Sequence, residues 1–278
     1  MTVRSTGSLE GTGDVALFTQ SWRPDDATAI RGTVVIVHGF GEHSDRYDHV
    51  AERLVAEGYA VFALDHRGHG RSQGPRAVIE TDAVVADVDQ LVSRAADAHP
   101  DVPRFLLGHS LGGMIAIAYA LTHGERLHGL ILSGPLAAVD ASPALARIGR
   151  LLSAVAPHAP TLALDARLVS RDSEVVAAYR ADPLVHHGRI PARTAAQITE
   201  TVSRFPDAVG AINVPTLIVY GTSDGLCPPR GSVMLAERIG AEDVTVRAYE
   251  GLFHEVLNEP ERETVIGDLV KWLDQHTG

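Results

Sequence analysis

The chain has 278 residues, 45 % of them apolar, and a formal net charge of −11 from 35 acidic against 24 basic residues. This length fits one large domain with an insertion, whose core removes roughly 70–75 % of the unfolded surface from water. The acidic balance, without any basic stripe, excludes a nucleic-acid partner and favours a neutral or apolar small molecule. The single cysteine, Cys227, excludes an intrachain disulfide and cysteine-based metal sites.

The first seven residues lack the apolar core of a signal peptide, and no run approaches 18 apolar residues, so a cytoplasmic protein is expected. Residues 15–22 read as an opening strand. Residues 33–37 are a β-branched run that stops at His38-Gly39. Over 47–57 the spacing of Tyr47, Val50, Leu54 and Val55 predicts a helix that Gly58 ends. Residues 60–64 are the next strand. Residues 82–98 carry a helical stripe of Val84, Val88, Leu91, Val92 and Ala95. A strand at 104–107 leads into a helix at 111–122, and 130–132 form another buried strand.

The rhythm then breaks. Between Pro135 and Pro206 the patterns at 144–156, 173–180 and 192–204 are helical, with no core strand. Strands resume at 215–220 and 244–248, and a helix over 261–275 closes the chain with Val265, Ile266, Leu269, Val270 and Leu273 on its inner face. Apolar strands alternating with helices predict a mostly parallel sheet covered on both sides. The strandless interval predicts a helical cap at 135–206, inserted in a core made of 1–134 and 207–278.

Gly108-His109-Ser110-Leu111-Gly112 lies between a predicted strand and a predicted helix. A nucleophilic serine on a strained strand-to-helix turn needs small residues on both sides, and the helix N-terminus behind it favours developing negative charge. A neutral serine also needs a base, and the base needs an orienting carboxylate. Asp224 follows the 215–220 strand and His254 follows the 244–248 strand, in the order Ser, Asp, His. Glu250 and Glu255 are rival carboxylates, but both are too close in sequence to His254 to reach its far ring nitrogen easily. The oxyanion donors expected are the backbone N–H groups of Leu111 and, from the loop His38-Gly39-Phe40-Gly41, of Phe40. His186-His187 and His66 with His69 lack partner ligands at metal-site spacing, so no metal is expected.

Several runs resemble the monoglyceride lipases of the α/β-hydrolase superfamily, in particular the bacterial ones. They are His38-Gly39-Phe40-Gly41-Glu42-His43, Asp65-His66-Arg67-Gly68-His69-Gly70-Arg71-Ser72, Gly108 to Gly113, Asp182-Pro183-Leu184-Val185-His186-His187-Gly188-Arg189, and His254-Glu255 with Asn258-Glu259-Pro260. The resemblance implies an α/β-hydrolase fold and cleavage of monoacylglycerols to fatty acid and glycerol through an acyl-enzyme, without a cofactor. It also implies a mobile cap over an acyl tunnel, and glycerol held by groups matching Glu42, Arg46, His109 and Tyr179. Read on their own, Glu42 and Arg46 equally suit surface ion pairs, and Tyr179 a packed helix. The same triad serves other carboxylesterases, lysophospholipases and thioesterases, and the fold also has non-catalytic ligand-binding members. The partner expected is therefore a small lipid ester. The apolar run at 143–160, which has no acidic residue, suits either transient contact with a lipid surface or packing on the body. Two departures from the resemblance are Gly225, where arginine is common, and Leu111, where methionine is common. Cys227 reads either as a small buried apolar residue or as a thiol beside the site.

Overall fold

The computed structural model describes residues 1–25, 29–140 and 142–277. Ala141, inside the expected cap, and residues 26–28 and 278 lie outside the described residues. The strands are β1 (Thr2–Gly11), β2 (Val15–Pro24), β3 (Gly32–Val37), β4 (Tyr59–Leu64), β5 (Arg104–His109), β6 (Gly129–Ser133), β7 (Thr216–Gly221) and β8 (Val244–Tyr249). They form one sheet in the order β1-β2-β4-β3-β5-β6-β7-β8. The pairs β1–β2 and β2–β4 are antiparallel, and all others are parallel.

Alternation along a strand decides which helices each side chain meets. Val34 and Ile36 of β3 join the cluster packed by α1 (Asp48–Ala56) and α8 (Arg262–Gln275), including Val50, Leu54, Val265 and Leu269. Val35 and Val37 join the opposite cluster with α2 (Thr81–Ala98) and α3 (Leu111–His123), including Val84, Leu91 and Ile115. With helices on both faces, the central strands have no polar side and read as continuous apolar runs. The predicted inner face of α8 is buried, with Trp272 added to it.

The structure departs from the sequence reading at three places. Thr2–Gly11 forms β1, which the sequence does not announce because this edge strand is exposed along most of its length and carries no apolar alternation. A further helix, α7 (Arg230–Arg238), follows β7, and Leu235 is buried beneath it. The helix predicted over 192–204 runs on as α6 (Ala192–Ala208), with Pro206 inside its last turn and Phe205 buried. That burial carries the helix past a residue that removes one backbone donor.

Between β6 and β7 lie α4 (Pro143–Val155), α5 (Ser173–Ala181) and α6, with no strand among the described residues beyond an isolated bridge joining Pro160 and Pro191. α6 packs against α4 on one side and α3 on the other, so the interval is anchored on the main body through one long amphipathic helix. No helix among the described residues is long and apolar enough to cross a membrane.

Candidate active site

Ser110 sits between β5 and α3 with φ 55° and ψ −118°. This is a costly conformation for a residue with a side chain, on the order of 1–3 kcal/mol, and it needs dense surroundings to persist. The flanking glycines supply the space. A Cβ on Gly108 would lie 2.3 Å from the Gly112 carbonyl oxygen, and one on Gly112 would lie 2.0 Å from that of Val37. Close approach of α3 to β5 at Gly108 and to β3 at Gly112, rather than turn flexibility alone, therefore demands glycine at both positions. The Ser110 N–H donates to Ser133 O at 3.0 Å, and Ser110 O accepts from Leu136 N at 2.9 Å.

The loop after β7 places Asp224, and the loop after β8 places His254. His254 Nδ1 donates to Asp224 Oδ2 at 2.8 Å, and both residues are buried. Asp224 Oδ1 accepts from Leu226 N at 2.8 Å and Cys227 N at 2.9 Å, so the carboxylate cannot rotate freely. Burial disfavours the charged imidazole, but the Asp224 charge and hydrogen bond, followed by the charges of Glu255 and Glu42, outweigh it. The net effect raises the basicity of His254. The Ser110 hydroxyl rests 3.7 Å from the Cys227 thiol. It makes no hydrogen bond to His254 in this structure, although both residues line one small cavity of about 20 Å³. Resting geometry of this kind commonly tightens only when substrate binds. Cys227 is buried, and burial with the Asp224 charge pushes its thiol pKa up, so it stays protonated.

Neither the Phe40 nor the Leu111 N–H has a hydrogen-bond acceptor among the described residues. Three histidines hold the Phe40 peptide. The His66 N–H donates to His38 Nε2 at 2.9 Å, which leaves the proton on Nδ1, and His38 Nδ1 donates to Gly39 O at 2.8 Å. Gly39 C=O and Phe40 N–H belong to one trans peptide, so the His38 ring turns the Phe40 N–H the opposite way. His66 lies against His38 with ring centres 4.1 Å apart and planes tilted by 52°, and His69 meets Phe40 edge-on at 5.6 Å. His66 and His69, whose side chains the sequence reading weighed as metal ligands and quoted in a matching run, thus support the loop.

Burial lowers the pKa of His38 well below its usual value, and lowers His66 to about 4 and His69 to about 3. In the unfolded chain these rings titrate near about 6.5. The unfolded state therefore binds more protons between that pH and the folded values, and stability present above pH ~6.5 is lost as pH falls toward 4. His66 alone removes about 3 kcal/mol by pH 4. Urea-melt midpoints measured between pH 7 and 4.5 are expected to drop steeply, and less steeply in His66→Asn. An equally steep curve in that variant rules out this cause.

Glu42, His109 and Tyr179 line the small cavity with Ser110 and His254, and Arg46 stands behind them with its guanidinium 4.8 Å from the Tyr179 ring centre. Glu42 Oε1 accepts from Gly39 N at 2.5 Å and Tyr47 Oη at 2.7 Å, and its Oε2 accepts from Arg46 at 2.6 Å. Arg46 also makes two 2.7 Å bonds to Glu255, which is 4 % exposed. These are buried ion pairs, not the surface pairs the sequence alone allowed. His109 donates from Nδ1 to Ser133 O at 2.9 Å, and its ring lies 4.7 Å from that of His254. Burial, then the neighbouring His254, lowers the His109 pKa and keeps it neutral. The Tyr179 hydroxyl has no hydrogen-bond partner among the described residues, although the residue is 8 % exposed. Glu255 entered the sequence reading as a rival to Asp224 and as part of the run after His254, with no role of its own. No local signal pairs it with Arg46, 209 residues away.

A mostly parallel sheet with a strained serine at the end of its β5 strand, and a paired histidine and aspartate in later loops, defines an α/β-hydrolase. The serine aminopeptidase, S33 family matches residues 28–261. The monoacylglycerol lipase of Mycolicibacterium smegmatis is 45 % identical over 98 % of both chains, and human monoglyceride lipase is 35 % identical over 94 % of this chain and 88 % of its own. The crystal structure of Paleococcus ferrophilus monoacylglycerol lipase superposes with a TM-score of 0.84 at 32 % identity, covering 94 % of this chain and 99 % of that one. The chain belongs to the S33 family of α/β-hydrolases, among its monoglyceride lipases.

Proposed function

We propose that the chain hydrolyses monoacylglycerols to fatty acid and glycerol through an acyl-enzyme. The observation that carries the chemistry is the buried His254–Asp224 bond, which leaves His254 Nε2 as an acceptor in the cavity that Ser110 also lines. The substrate class is supported by the 45 % identity to a monoacylglycerol lipase along nearly the whole chain. His254 takes the Ser110 proton as the hydroxyl attacks the ester carbonyl. Phe40 and Leu111 N–H groups receive the oxyanion, and His254 returns the proton to the departing glycerol oxygen. Water, deprotonated by His254, then attacks the acyl-Ser110 carbonyl, and the serine oxygen leaves with the proton. Glu42, His109 and Tyr179, with Arg46 behind them, suit the glycerol hydroxyls.

A cavity of about 20 Å³ admits no lipid. Leu164, Val169 and Tyr179 cover it, so residues 135–206 act as a cap that moves to admit substrate. A second cavity of about 530 Å³ is lined by Ala137, Ala146 and Val202 among others, and the residue before Ala137, Leu136, donates its N–H to Ser110 O. Its size suits an acyl chain. Ile148, Leu151 and Val155 are 60 %, 64 % and 83 % exposed along α4, with Leu162 beyond them at 72 %. This apolar stripe suits contact with a lipid surface, and the opposite side of α4 packs on α6.

The test is a panel of mono-, di- and triacylglycerols, a lysophospholipid, an acyl thioester and p-nitrophenyl butyrate. Monoacylglycerols are expected to lead diacylglycerols by about tenfold or more in kcat/KM. Faster turnover of the lysophospholipid or thioester reassigns the substrate. In the same panel Leu151→Ser/Val155→Ser is expected to keep activity on the soluble ester and to lose about tenfold on vesicle-borne monoacylglycerol. Unchanged vesicle activity removes the lipid-surface role of α4.

A further inference from the structure

The oxyanion loop after β3 and the base loop after β8 are far apart in sequence and lie on opposite sides of the sheet centre. Their alignment decides whether the Phe40 N–H and the His254 ring address one carbonyl. A continuous chain of buried charge joins them. From the oxyanion side, Gly39 N–H donates to Glu42, and Glu42 accepts from Arg46. Arg46 then grips both oxygens of Glu255, the residue next to the base. Glu255 is held in turn by Asn258 Nδ2 at 3.0 Å, and its own N–H donates to Val169 O at 2.8 Å. A planar guanidinium bound at both oxygens of a buried carboxylate tolerates little relative motion.

We propose that Glu255 is a positioning residue: through Arg46 and Glu42 it registers the base loop against the oxyanion loop. This rests on the hydrolase reading above. Two carboxylates sharing one guanidinium also leave one net negative charge beside His254, where it favours the imidazolium formed in the transition state. The groups around His254 are the adjacent Glu255, Asp224 from the loop after β7, His109 from β5, Glu42 and Arg46 from the segment after β3, and Tyr179 from α5. Among them Asp224 holds the ring directly, and Glu255 and Glu42 act through space.

The experiment is Glu255→Gln, assayed on p-nitrophenyl butyrate from pH 5 to 9. The glutamine keeps the shape and loses one negative charge. We expect kcat to fall by about tenfold to a hundredfold, with KM within about threefold, because misalignment acts on the transition state. The acid limb of kcat/KM, which reports the free base, is expected to move to lower pH, since a carboxylate that favours imidazolium is gone. A kcat within about threefold of wild type, or an acid limb that stays or rises, overturns the proposal. If Glu255→Gln does not fold, Arg46→Lys keeps every charge and replaces the planar two-pronged grip on Glu255 with a single point contact. Its kcat is expected to fall by about tenfold with the acid limb in place, and a retained kcat overturns the proposal. Wild-type protein with no turnover of any ester overturns the hydrolase reading itself, whereas an active wild type with an unaltered variant overturns only the role of Glu255.

Discussion

Ser110→Ala lowers kcat/KM on p-nitrophenyl butyrate and on monoacylglycerol by an expected factor on the order of 10⁴–10⁶, and ends labelling by a fluorophosphonate. The loss is large because no neighbour can replace the hydroxyl. The Cys227 sulfur, 3.7 Å away, is the nearest candidate, but burial keeps it protonated and bonded only to Ser110. A buried thiol is a poor nucleophile in that state. The remaining activity then comes from the oxyanion donors and binding alone. Folding is expected to survive or improve slightly, since Ser110 makes its structural bonds through backbone groups, which alanine retains. Activity within about tenfold of wild type, in protein free of wild-type contamination, removes Ser110 as nucleophile.

Asp224→Asn is the more revealing change, with an expected loss in kcat of about 10⁴-fold. Oδ1 of Asp224 accepts two backbone N–H groups, from Leu226 and Cys227. An asparagine satisfies both only with its carbonyl oxygen at that position. Its NH₂ must then sit at Oδ2 and point at His254 Nδ1, which now donates to that site. Two donors cannot face each other in a buried place, so the ring proton moves to Nε2. The nitrogen that should accept the Ser110 proton then carries one already. The negative charge that raises His254 basicity is lost as well. Thermal stability is expected to fall much less than activity, because the two backbone hydrogen bonds are kept and the His254 bond can re-form with donor and acceptor exchanged. The check is kcat together with the imidazole N–H proton resonance in the Asp224→Asn variant. Near-normal kcat with the proton still on Nδ1 defeats this account of Asp224.

The elbow was legible because its requirements are local. Glycine at 108 and 112, a strand before and a helix after are properties of about a dozen consecutive residues. The order Ser110, Asp224, His254 was legible for a related reason. In a parallel sheet, loops at the same end of successive strands share one rim, so position in the strand rhythm predicts who meets whom. The core stripes of α2 and α8 follow from periodicity in the same way. β1 was illegible because backbone pairing to β2 holds it, and backbone pairing leaves no trace in side-chain pattern when both faces are exposed.

The histidines show where adjacency stops helping. His38, His66 and His69 look like scattered ring nitrogens in sequence, and become one neutral cluster only because β3 and β4 are hydrogen-bonded neighbours. Arg46 and Glu255 look like ordinary surface charges, and become a buried, two-pronged pair only because the loops after β3 and β8 converge over the same rim. The amino-acid order was thus enough to specify the class of fold and to place Ser110, Asp224 and His254 at one rim of the sheet, since each depends on short-range spacing and on the rise of successive strands. Folding in three dimensions assigned the partners of buried charges and the protonated nitrogen of each imidazole. Those depend on which donors and acceptors are left facing one another once water is excluded, a property that no segment carries alone.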